Sequence, residues 1–135
     1  MRKTTACILF ALPLFFSLCS KDKGAAEIRA YLNEVHDELI EYEKNMLRAQ
    51  NGEEAAAAIT AHYSKLLKFA ERSMLLDEKY PEAAKADELS KQGDEIAALT
   101  AEVDKKTAPV LDKYMGHPAV LEALYKMIDG LQKKP

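Results

Sequence analysis

Three histidines, His36, His62 and His117, are the side chains of this 135-residue chain best suited to metal or acid–base chemistry. A di-iron centre in a helical bundle asks for Glu-x-x-His on two helices. Asn33, Ile59 and Tyr114 stand at the carboxylate positions instead. Nor do any two histidines share the His-x-x-x-His spacing that puts two ligands on one helical face. Covalent haem is ruled out because Cys-x-x-Cys-His is missing. Non-covalent haem would need a His/Met pair at one height, and Met46 and His62 miss each other by more than one turn across a hairpin. Met115-Gly116-His117 offers one thioether and one imidazole for a soft metal. The plainer reading is a core methionine beside a helix-capping histidine. Hydrolysis needs a nucleophile with a base in reach, and no Gly-x-Ser-x-Gly, zinc-protease or phosphate-loop motif occurs. Glu53-Glu54 and Asp87-Glu88 fall at expected helix starts, where acids suit the dipole. No catalytic, cofactor-binding or metal-binding residue is assigned, and the chain is not expected to be an enzyme.

The elements that would position any such groups are helices. Alanine, leucine, lysine and glutamate dominate, with 5 Gly, 5 Pro and no Trp. The net charge is −3, and two units more negative without Arg2 and Lys3; no basic block interrupts the mixed charges. Nucleic acid is therefore not an expected partner.

A first helix is predicted over 25–50 from the ladder Ile28, Leu32, Val35, Leu39, Tyr42, Met46, Ala49, whose steps of four and three form a heptad stripe. Glu34, Glu38, Glu41 and Lys44 fall off it and should face water. Asn51-Gly52 should end this helix, with glycine as a left-handed cap. The second helix, over 53–79, carries Ile59, Tyr63, Leu66, Ala70 and Met74, widened by Leu67 and Phe69. So short a turn forces the two helices antiparallel. Tyr80-Pro81 breaks the pattern. A third helix follows to about Lys106 on Leu89, Ile96, Leu99 and Val103, with Gly93 on the same face, where a close neighbouring backbone would offset its cost. Thr107-Ala108-Pro109 either starts a fourth helix or kinks the third, and Gly116-His117-Pro118 is a firmer break before a helix over 118–132, expected to bury Val120, Leu121, Leu124, Met127, Ile128 and Leu131. The expected fold is all-α: an antiparallel four-helix bundle broken near Gly116–Pro118, or a three-helix bundle with a kinked third helix.

The N-terminus carries the strongest functional signal. In MRKTTACILFALPLFFSLCS, Arg2 and Lys3 precede an apolar run from Ala6 to Leu18, the layout of an export signal. Thirteen apolar residues around Pro13 are too few for a span of about 20. The stretch from Phe16 through Cys19 to Gly24 resembles the lipobox and polar tether of bacterial lipoproteins. Phe16 and Leu18 depart from the strict pattern, as in the relaxed lipoboxes of small helical spirochaete lipoproteins. That resemblance implies a signal over 1–18, lipidation of Cys19, a tether over 19–24 and a helical domain over 25–135. It also implies anchoring in the cell envelope. Ser20 in place of an aspartate favours the outer membrane, with the periplasm as the alternative. Two other readings stay open: cleavage after Cys19 to release a soluble chain, and an uncleaved anchor. Cys7 leaves with the signal, so Cys19 has no partner with which to staple the fold.

The function expected from these features is a membrane-anchored structural or protein-binding module with an unidentified protein partner and no cofactor. The alternative is a periplasmic four-helix carrier of haem or a soft metal. The sequence leaves the oligomeric state open.

Overall fold

The computed structural model describes residues 21–83 and 86–133, with only the backbone of Lys21 and Asp22. Four helices pack against one another, and no strand occurs among the described residues: α1 (Lys21–Arg48), α2 (Gly52–Lys79), α3 (Asp87–Tyr114) and α4 (Pro118–Gln132). Ion pairs set the directions. Glu27 pairs with Lys79, Glu34 with Arg72 and Glu41 with Lys65, so α2 runs antiparallel to α1. Arg29 meets Glu88, Asn33 meets Gln92 and Glu43 meets Lys106, so α3 runs parallel to α1. α1 packs along both α2 and α3, and the shorter α4 lies on α2.

Every position of the α1 ladder is buried or half-buried. The apolar interior divides in two. One cluster joins Ile28, Leu32, Val35 and Leu39 to Leu76, Leu89, Ile96 and Val103. The other joins Met46, Ala55, Ala56 and Ile59 to Val120 and Ala123 of α4. The small residues of the Ala55–Ala58 run let α4 approach α2 closely. Tyr42 borders both clusters.

Five local expectations are corrected. α1 begins at Lys21, so residues 21–24 of the expected tether are helical. Gly24 is buried where a side chain would strike the Tyr80 ring and Ala83. Gly52 is not a left-handed cap: no described residue has a positive φ, and Gly52 opens α2. The turn is closed instead by Asn51, which accepts from the Glu54 amide at 2.9 Å, while the Gln50 amide donates to the Glu54 carboxylate at 2.8 Å. This reciprocal arrangement is a capping box. α3 does not stop at Lys106 but continues through Pro109 to Tyr114, because Val110, Leu111 and Tyr114 pack on the second cluster and offset the lost backbone bond. Met74, placed on the α2 stripe, is 60 % exposed, because α4 ends before reaching its level. Leu121, Ile128 and Leu131, expected inside, are exposed, because α4 meets the second cluster through the face that carries Val120 and Ala123.

Candidate functional site

Where the two apolar clusters meet, the bundle carries a polar layer. Glu38, expected in water, is only 5 % exposed. Its two carboxylate oxygens divide between neighbours on α2: the His62 imidazole donates from Nδ1 to Oε1 at 3.0 Å, and Lys65 Nζ sits 2.5 Å from Oε2. Lys65 also meets Glu41 at 2.7 Å. The imidazole stacks on the Tyr42 ring with centroids 4.1 Å apart and planes 13° from parallel. Tyr42 is hydrogen-bonded to Thr107 of α3, whose hydroxyl donates to the Val103 carbonyl at 2.8 Å.

Burial lowers the His62 pKa below its usual value near 6.5, more than the hydrogen bond it donates to Glu38 raises it, so the ring is neutral at pH 7. Burial also raises Asp104, which faces the same ring from α3. The Glu38 and Glu41 carboxylates push the Lys65 ammonium up. A carboxylate-oriented neutral imidazole is the base half of many hydrolytic sites. Catalysis also needs a nucleophile, and the Thr107 hydroxyl gives its hydrogen to the Val103 carbonyl. The arrangement can lock helix register and respond to protons.

Glu38 escapes the heptad pattern because it lies about 100° around α1 from Leu39. A stripe of heptad width leaves it outside, whereas packing on two sides widens the buried arc. The complementary signal was present in the i, i+3 spacing of His62 and Lys65 on the facing helix.

The other candidates take structural places. His117 caps α4, accepting from the Ala119 amide at Nδ1, and its ring packs over Gly52. That nitrogen is occupied by the cap, and Met115 beside it is exposed. Met46 is fully buried in the second cluster, apart from His62, which sits level with Glu38 and Tyr42. His36 is exposed beside Asp37. Among the described residues no group of three or more His, Cys, Asp or Glu could hold a metal, and no helix is long and apolar enough to cross a membrane. Cys19, the lipidation candidate, lies outside the described residues, as does the signal. No family model, curated protein or solved structure matches the chain.

Proposed function

We propose that this chain is an exported lipoprotein, held at a membrane face by acyl chains on Cys19, whose helical bundle is a structural or protein-binding module. The observation that carries the reading is the N-terminal order of Arg2-Lys3, the apolar run and Cys19. The start of α1 at Lys21 is compatible with it. One residue, Ser20, would separate the lipidated cysteine from the first turn, a reach of about 7 Å from Cys19 to Lys21. The bundle would then stand directly on the lipid headgroups, with the end carrying Glu27, Lys79 and Tyr80 toward them.

Several acyl chains hold a protein to a bilayer far more firmly than one, at about 0.8 kcal/mol per buried methylene. Detergent-phase partitioning of the full chain and of Cys19→Ser tests the anchor. The substituted chain should move to the aqueous phase, and unchanged partitioning would rule the anchor out.

A further inference from the structure

Two apolar surfaces of this molecule lack a neighbour among the described residues, and they are the same length. The first is a ridge on α4. Leu121, Tyr125, Ile128 and Leu131 follow one another at helical spacing and stay exposed, Tyr125 by 69 % and Ile128 by 47 %. The second is a seat beside α2. α4 lies parallel to α2, with His117 over Gly52 and Gly130 against the Tyr63 hydroxyl. It ends at Gln132, about halfway along α2. Beyond it the same side of α2 continues through Leu67, Ala70 and the exposed Met74. A 15-residue helix is about 22 Å long. A 28-residue helix is about 42 Å long. The empty seat therefore measures about 20 Å, one α4.

The α3 wall of this seat contains Gly93. A side chain there would meet nothing within 4 Å. Inside a helix a glycine costs about 0.8–1 kcal/mol against alanine, and no contact within the monomer requires one. A helix arriving from outside would.

We infer that the chain forms a two-fold symmetric dimer in which the α4 ridge of each copy occupies the empty seat of the other. A molecule with four helices in one half and three in the other is a step, and two inverted steps close into a block. The interface is isologous, so it closes without leaving a free apolar edge. Antiparallel pairing around the α4 C-termini brings Tyr125 of one copy level with Ala70 and Met74 of the second, and Ile128 level with Gly93. The contact runs about 42 Å by one helix width of about 12 Å on each copy, about 500 Å² per partner and about 1,000 Å² in all, the least that a specific interface needs. The inference names the partner of the binding module proposed above and rests on that part of it, not on the lipid anchor.

Sedimentation equilibrium of the full chain in density-matched detergent tests it, with helicity followed by circular dichroism. The native chain should sediment at twice its own protomer mass at micromolar concentration. Tyr125→Glu and Met74→Glu, both at exposed positions, should keep native helicity and weaken the dimer at least tenfold. Combining Tyr125→Lys with Met74→Glu should restore it, since the two charges meet across the interface. Gly93→Gln should raise the thermal midpoint of the isolated monomer while weakening the dimer, opposite signs that a purely structural glycine cannot give. A monomeric native chain, its seat open or filled by another segment, overturns the inference. So does a dimer indifferent to Tyr125→Glu and Met74→Glu. Either result leaves the partitioning of Cys19→Ser unaffected, so the anchor stands or falls separately.

Discussion

Glu38 has two cationic or protic partners on the neighbouring helix and almost no water, whereas Glu34, one turn away, pairs with Arg72 in solvent. The pattern alone predicts that Glu38→Ala is nearly neutral; its burial reverses that. Truncation leaves the His62 Nδ1–H without an acceptor and should cost about 1–3 kcal/mol. Glu34→Ala should cost less than about 1 kcal/mol as an exposed pair. Urea unfolding of both variants separates them, and equal losses would mean that the layer contributes no more than a surface pair. Leu39→Asp should be severe, because it buries a carboxylate in the first cluster. The same layer sets a pH response. The folded state holds His62 below its ordinary pKa, so near pH 6.5 the unfolded chain takes up the proton first. Stability from this group is fully present above about pH 6.5 and falls as the pH drops toward the folded value. Asp104, raised by burial, acts in the opposite sense: its contribution is lost as pH rises through its folded value. The thermal midpoint should therefore decline from pH 7.5 to 5.5, and His62→Gln should flatten that decline.

At the scale of the element, the order and approximate bounds of the helices follow from periodicity, and the burial of every α1 ladder position follows from its unbroken four-three spacing. The departures have local causes. Thr107-Pro109 resembles a helix start, yet the apolar residues beyond it pack strongly enough to carry α3 across the proline. Gly52 resembles a stop signal because glycine after asparagine commonly takes positive φ. Here its small size admits the His117 ring, a contact between residues 65 apart that no local pattern reveals. Gly52→Ala should therefore destabilise the bundle although alanine favours helices, because the added methyl overlaps the ring. Asn51→Ala should lose about 1 kcal/mol through the cap. If Gly52→Ala proved stabilising in a thermal scan, the packing of α4 onto the α1–α2 turn would be wrong.

Across the whole molecule, the polar layer divides the interior into one half held by three helices and one that also depends on α4. Val120 is fully buried in the second cluster, and α4 is short, with most of its apolar surface facing out. Its stability comes from docking, since an isolated helix of 15 residues is marginal in water. Val120→Asp removes that docking by burying a carboxylate against Ala55, Ile59 and Met46. Hydrogen exchange should then lose protection across 52–63 and 110–132, where backbone bonds rely on the second cluster. Residues 28–35 and 89–103 are buried by helices that do not include α4 and should keep most of theirs. Uniform loss across all four helices would instead mean that the Glu38–His62 layer couples the two halves into one cooperative unit.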